Sequence, residues 1–391
     1  MTEELQIPEK VRKVYEWCSQ LTAESRKELK SSYVWPDEIK QLASRLLLAK
    51  GALIALQGYS GTGKSSALVM IGQIINKNKI QYASFKLVNR DLVKSFADGH
   101  HDDYYDSYNV QLKEAYTVRQ KLASWKGKRL PSNPDDFESL EEFEAFFKKG
   151  DLREIRKKAV LDYLSKSRVI MIDLQDYSTT DKRTMTGDLN VIQEVWNYLT
   201  NNGWVGNLVI SVQKELVEGE RGVTHYLLRK MDIVELKPFK PGRLVEAYTQ
   251  AFKEAYPFRE QALMRVARLS RGIWRRYLRY LRLCLDSWIA KGMKGEIDTA
   301  FTSDAVSNQE IGKDIEDELT AMFPKSDEMR RKALKTIHYL ISLEKGILQK
   351  VLAKGLNLSE TETSRLFDKM DARGLTYRQQ TPEGKMVFSN I

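Results

Sequence analysis

Gly51-Ala-Leu-Ile-Ala-Leu-Gln57 is a short apolar run that ends in Gly58-Tyr59-Ser60-Gly61-Thr62-Gly63-Lys64-Ser65, and the following Ser66-Ala-Leu-Val-Met-Ile-Gly72 has the pattern of a helix. The order is strand, G-x-x-x-x-G-K-[ST] loop, helix. Glycines let backbone N–H groups converge on phosphate oxygens, and the helix start adds the positive end of its dipole. The stretch therefore reads as a phosphate cradle made of Gly58, Tyr59, Ser60, Gly61, Thr62, Gly63, Lys64 and Ser65, with Ser66 opening the helix behind it. Lys64 is placed to reach the β- and γ-phosphates of a nucleoside triphosphate, and Ser65 to ligate Mg2+. ATP or ADP with Mg2+ is the expected cofactor set.

A cradle of this kind needs a second strand that supplies an acid for the metal. Arg168-Val-Ile-Met-Ile-Asp173 fits, because four apolar residues carry Asp173 to the C-terminal end of a strand, where ligands of parallel sheets bind. Asp173 is thus the second expected metal residue. Three further strand-like runs, Ile80 to Val88, Gly206 to Val212 and Asp232 to Leu236, bring the total to five, each short, apolar and separated by helical pattern. The expected class is α/β, a P-loop NTPase with a five-stranded parallel sheet. Many ATPases follow the metal-binding aspartate with a glutamate that polarises the attacking water, but here Leu174, Gln175 and Asp176 follow. Asp176 or Gln175 is left to position the water, and slow, switch-like hydrolysis is expected.

The chain as a whole sets bounds. Its 391 residues exceed what one core usually organises, so two or three domains are expected. No run approaches the about 18 apolar residues of a membrane span, and Met1 to Lys10 lacks the basic-then-apolar order of a secretory signal. A cytoplasmic protein with no membrane contact is expected. Cys18 and Cys284 have no CxxC-type partner, which excludes a zinc knuckle or a disulfide framework. The formal charge of +10 favours a polyanionic partner such as nucleic acid.

From about Tyr33 to the C-terminus the order of motifs resembles the AAA+ family. The resemblance implies that Gln213, ending Leu208-Val-Ile-Ser-Val-Gln213, is the sensor 1 residue near the γ-phosphate, with Ser211 as second choice. It implies that Arg229, or Lys230, in His225-Tyr-Leu-Leu-Arg-Lys-Met-Asp232 is an arginine finger offered to a neighbouring subunit, which makes a homo-oligomer an expected partner. Leu269-Ser-Arg-Gly272-Ile-Trp-Arg275 is similar to the sensor 2 motif, in which Arg275 reaches the phosphates from a helical lid. Trp35 or Val34, just before Pro36, is the implied packing for the base. Arg275, Arg279 and Arg282 fall at i, i+4 and i+7, a stripe expected to be a solvated helix face or a partner contact.

Between the second strand and Asp173 lie about eighty residues where a minimal fold needs far fewer. This insertion, about 92–165, carries His100-His-Asp-Asp-Tyr-Tyr-Asp106 and Asp135-Asp-Phe-Glu-Ser-Leu-Glu-Glu-Phe-Glu144, and reads as helices with an acidic, protein-binding surface. At the C-terminal end, helical patterns over Met329 to Leu343, Gly346 to Leu356 and Glu360 to Arg373 precede a hairpin turning at Pro382-Glu-Gly384. This order looks like a winged helix-turn-helix. From Lys325 to Ile391 thirteen Lys/Arg face eight Asp/Glu, which favours double-stranded DNA. Thr361, Thr363, Ser364 and Arg365 on the third helix, with Arg378 and Lys385 on the wing, are the candidate DNA contacts.

The expected organisation is a core at 1–240, a helical lid at 241–300, a linker at 301–325 and a winged helix at 326–391. Together these resemble the archaeal origin-recognition initiators and the signal-transducing STAND-type ATPases. The first resemblance implies an ATP-dependent DNA-binding protein of initiator or DNA-remodelling type. The second implies a regulatory ATPase whose winged helix and insertion bind proteins.

Overall fold

Near-continuous apolar runs build the middle of the molecule. The computed structural model describes residues 7–19, 36–126, 130, 139–174, 182–217, 223–306, 308–323, 326–343, 346–373 and 375–389. Strands β1 (Leu53–Gly58), β2 (Tyr82–Leu87), β3 (Val169–Leu174), β4 (Asn207–Gln213) and β5 (Asp232–Leu236) form a five-stranded sheet in the order β2-β3-β4-β1-β5, and every pairing is parallel. β4 is buried at every position, as a central strand covered on both faces must be. At the β5 edge Asp232 is exposed and pairs with Arg45. The register sets Gln213 and Leu236 opposite Gly58, so the C-terminal ends of β1, β4 and β5 finish together.

One face of the sheet is covered by α2 (Asp37–Leu48) and α3 (Lys64–Lys77), whose Ile39, Leu42, Leu46, Leu68 and Ile71 pack on Ile54, Leu56 and Met171. The buried side chain of Asn207 fixes this corner. Its Oδ1 accepts from the Ala52 N–H at 2.9 Å, while its Nδ2 donates to the carbonyls of Leu46 at 3.2 Å and Ala49 at 2.9 Å. These bonds satisfy carbonyls at the end of α2 that the helix itself cannot pair.

The other face carries α8 (Lys182–Asn201), the short α9 (Lys214–Val217) and α10 (Tyr226–Lys230), and the insertion, which folds as α4 (Leu92–Gly99), α5 (His101–Trp125), α6 (Leu140–Glu144) and α7 (Lys149–Lys166). The insertion shares the sheet's core, because Phe96, Tyr104, Tyr108, Tyr116 and Phe143 bury their rings with Phe85, Ile170 and Ile172. A cavity of about 1090 Å³ beside the insertion is lined by both signs of charge, with Asp91, Glu141 and Glu194 among its acids. Lys94, Lys149, Arg153 and Arg156 line it, and Glu144 is already engaged by Arg156 at 2.8 Å and by the Tyr108 hydroxyl at 2.5 Å. His100 stacks on Phe96 with centroids 4.8 Å apart and approaches Asp103 at 3.3 Å. Among the described residues no group of three or more His, Cys, Asp or Glu side chains could hold a metal ion.

After β5 the chain forms α11 (Pro241–Phe252), α12 (Glu260–Leu269), α13 (Trp274–Ala290) and α14 (Thr299–Ala305), with Pro241 at the start of α11 where a missing N–H costs nothing. The N-terminal helix α1 (Glu9–Ser19) joins this bundle although it precedes the sheet in sequence. Val11, Val14 and Cys18 form its apolar stripe in the lid core, and Trp17 meets Tyr248, Phe252 and Trp274 edge-on at 5.5 to 5.9 Å. Cys18 and Cys284 are both buried there, and burial pushes both thiols up, so neither is reactive.

The segment read as a polar linker is a helix, α15 (Asn308–Met322), whose Ile315, Leu319 and Met322 enter the core of the C-terminal module. That module consists of α16 (Asp327–Leu343), β6 (Ile347–Leu348), α17 (Gln349–Leu356), α18 (Glu360–Ala372), β7 (Thr376–Thr381) and β8 (Gly384–Ser389). Three helices and an antiparallel sheet in the order β6-β8-β7 make a winged helix. Ile347 and Leu348, expected to open a helix, instead pair with Val387 and Met386, because the wing needs a third strand to bury Val387. Ser359 and Glu362 exchange hydrogen bonds in a capping box that starts α18.

Candidate nucleotide site

The loop between β1 and α3 has the geometry its sequence requires. Gly61 and Gly63 have φ of +80° and +97°, values that a side chain disfavours, and nothing lies within 4 Å of where a Cβ on Gly63 would project. No side chain caps α3, which leaves its first N–H groups for an anion. The Lys64 ammonium, 8% exposed, donates to the carbonyls of Gly58 at 2.9 Å and Tyr59 at 3.1 Å. A phosphate oxygen entering the cradle would compete with those two carbonyls for the same charge.

Asp173 stands on β3 one residue short of its end. The Ser211 hydroxyl on β4 donates to its Oδ1 and accepts from the Leu174 N–H at 3.0 Å. Burial pushes the Asp173 carboxyl above the ordinary carboxylate range, against hydrogen bonds from Ser211 and Ser65 and the charges of Lys64 and Lys86. A half-buried acid beside the loop hydroxyl is a donor set that fits Mg2+. Of the two residues expected near the phosphates from β4, Ser211 touches the acid, while Gln213 ends the strand across from Gly58 and is 7% exposed.

With the loop after the first strand, the acid on β3, and β4 between β3 and β1, the pattern is complete. The fold is that of an AAA+-like P-loop NTPase. The lid comes down on the loop itself. The Arg275 N–H donates to the Gly61 carbonyl at 3.4 Å, and a Cβ on Gly61 would stand 3.0 Å from Ile273 Cγ2 and 3.3 Å from Arg275 Cβ. Gly272 makes this approach possible. Its φ is +73°, and any Cβ there would meet the Phe239 carbonyl oxygen at 2.2 Å. The backbone of Arg275 thus lies beside the cradle, and the residue is exposed.

Arg229 is exposed on the last turn of α10, and Lys230 lies over the Tyr226 ring at 4.3 Å. His225 caps that helix. Its Nδ1 accepts from the Leu227 N–H at 3.2 Å, which leaves Nε2 to donate to Asn190 Oδ1 at 2.9 Å, and burial lowers its pKa. Val34, Trp35, Gln175 and Asp176 lie outside the described residues.

The arginine stripe of α13 divides: Arg275 is exposed, Arg282 is half-buried, and Arg279 is paired. Arg279 makes a two-pronged pair with Asp314 of α15, both distances 2.8 Å, and the neighbouring Arg276 bonds Glu318. Arg373, just past α18, donates to the other Glu318 oxygen at 2.6 Å and lies 4.1 Å above the ring of Tyr59. The sequence carried no sign of these contacts, because their partners stand 35 to 55 residues apart or more and follow no helical spacing.

On the winged helix the candidate set divides. Thr361 and Arg365 are exposed on α18, Ser364 is half-buried, and Lys385 is exposed on the wing. Thr363 is fully buried, its hydroxyl donating to the Ser359 carbonyl at 2.8 Å. Arg378 is held by Asp371 at 2.6 Å and by Asp368. Neither Thr363 nor Arg378 is presented to a ligand.

No family model and no curated protein matches the sequence. Solved structures do resemble it. Drosophila ORC bound to DNA is 12% identical with a TM-score of 0.46, covering 100% of this chain and 93% of that one. The Aeropyrum pernix ORC1 protein in complex with DNA is 15% identical with a TM-score of 0.42, covering 96% and 93%. The Thermotoga maritima RuvB Holliday junction branch migration motor is 15% identical with a TM-score of 0.39, covering 90% and 92%. Among the described residues no helix is long and apolar enough to cross a membrane.

Proposed function

We propose that this chain is an ATP-dependent DNA-binding ATPase of initiator or DNA-remodelling type, which works as a nucleotide-controlled switch. The observation that carries the reading is the seat between two bodies: Lys64 and Asp173 come from the sheet, while Ile273 and Arg275 of the lid rest on Gly61. A triphosphate on that seat favours one angle between sheet and lid, and hydrolysis removes the preference. Lys64 would hold the β- and γ-phosphates, and Ser65 and Asp173 the Mg2+, which supplies charge neutralisation when bound. With leucine in the position after Asp173, hydrolysis is slow until another residue or subunit orients the water; Arg229 is the candidate a neighbour would receive. Lys64→Ala is expected to abolish ATP retention measured by calorimetry, and unaltered binding would refute the seat.

The DNA part rests on the exposed Thr361, Arg365 and Lys385 and the half-buried Ser364, the remainder of the candidate face. The engagement of Arg378 by two carboxylates favours the second reading, a regulatory ATPase whose winged helix binds protein. Duplex binding titrated against salt separates the two. Under the DNA reading affinity falls steeply with salt, and replacing Arg365 and Lys385 by alanine flattens the slope by about one ion per residue. Absence of binding at low salt would leave the protein-binding reading.

A further inference from the structure

We propose that Arg373, supplied by the winged-helix module, is a positioning residue of the nucleotide seat, acting through Tyr59. The inference rests on the ATP reading of the loop and adds to it a specific coupling to the C-terminal module. Tyr59 occupies a position of the phosphate motif that the motif leaves open, and here it is an aromatic residue only 5% exposed. Two cations lie over its ring, the Arg373 guanidinium at 4.1 Å and the Lys214 ammonium at 5.2 Å from the centroid. Neither cation is loose. Lys214 bonds Glu235 at 2.5 Å, and Arg373 bonds Glu318 at 2.6 Å.

The backbone of the same tyrosine closes the loop. Its carbonyl accepts from the Thr62 N–H at 3.2 Å, the Thr62 hydroxyl at 2.8 Å and the Lys64 ammonium at 3.1 Å. A ring held by two cations that are themselves tied down therefore fixes the peptide that sets the loop's curvature and competes with phosphate for Lys64. The clamp continues into the lid. Glu318 also takes Arg276, which reaches Asp314 at 3.5 Å, and Asp314 takes Arg279. One connected chain of charged side chains thus runs from the lid through α15 and α18 to the phosphate loop.

The charge balance of this junction points the same way. Arg271 and Arg373 are buried, and among the described residues Arg276, Arg279 and Arg373 share the two buried carboxylates Asp314 and Glu318. Among the described residues Nη1 of Arg271 and Nη1 of Arg276 have no hydrogen-bond partner, and Arg271 stands two residues from Ile273, the residue packed on Gly61. A polyphosphate in the loop offsets a positive surplus that the protein leaves uncompensated. By linkage, if docked Arg373 favours nucleotide, nucleotide favours docked Arg373 by the same factor.

The test is a double-mutant cycle on the full chain with ATP and Mg2+, using Arg373→Ala, Tyr59→Leu and the pair, with Arg373→Lys as the conservative control. Each single change is expected to weaken ATP binding by about five-fold or more, the pair no more than either alone, and the lysine variant to recover most of the loss. In wild type, ATP is expected to slow amide exchange over residues 369–373, and Arg373→Ala to abolish that response. Thermal melts of each variant identify any that merely unfolds; Tyr59→Phe, which keeps the ring, then substitutes for a failed Tyr59→Leu and is expected to bind like wild type. Additive effects, or exchange at 369–373 that ignores ATP while wild type binds it, would overturn the role of Arg373 alone. A wild-type protein that binds no ATP would overturn both this role and the seat.

Discussion

Asp173 shows how one residue is set for charge chemistry at a cost to the fold. Its carboxyl is raised by burial more than Ser211, Ser65, Lys64 and Lys86 lower it, so the charged form is disfavoured relative to water. A carboxyl whose folded pKa is raised contributes fully to stability below its ordinary value of 3.8, and that contribution is lost as pH rises through the folded value. At neutral pH the ionised acid is therefore a burden that a bound cation relieves. Asp173→Asn is expected to raise the melting temperature by about 2 °C while stopping ATP hydrolysis, and a melting temperature that falls would contradict this account. Asp173 and Lys64 were legible in the sequence because a strand end and a fixed loop spacing each place a residue without help from the rest of the chain. Tyr59 was legible only as a backbone position. What its ring does depends on Arg373, which lies more than 300 residues away.

At the scale of elements, α10 carries the exposed Arg229 and is only five residues long, too short to hold itself. His225 holds it, neutral and buried, with both ring nitrogens bonded. Burial lowers its pKa below the ordinary 6.5, so the stability it contributes is present above that value and is lost as pH falls through the folded one. Between about pH 7.5 and about pH 5.5 the wild-type melting temperature is expected to drop further than that of His225→Asn, which caps without titrating; equal drops would remove His225 from that role. The strands and most helices were legible because apolar period and burial agree, as in β4 and α13. Three readings went astray for a shared reason. α15 looks like a polar joint because its acids, Asp314 and Glu318, serve buried arginines rather than solvent. Ile347 and Leu348 form a strand only because β8 is there to pair them. Arg279 of α13 looks solvated until Asp314 of α15 is placed beside it.

For the whole molecule, the division into sheet, helical lid and winged helix matters less than what joins them. The lid touches the phosphate loop through Ile273 and Arg275, and the winged helix touches it through Arg373, so both bodies have a stake in one eight-residue turn. Glu318 ties the two together. Burial pushes its carboxyl up, but Arg276 and Arg373 outweigh that and hold it below the ordinary range, so the tie is present above about pH 4.5 and loosens as pH falls. The central claim is that nucleotide is shared between sheet and lid. Amide hydrogen exchange with and without ATP and Mg2+ tests it most directly. The account predicts slower exchange both at residues 58–66 and at residues 269–276, with both effects lost in Lys64→Ala. Protection confined to residues 58–66, with the lid segment unchanged, would contradict it.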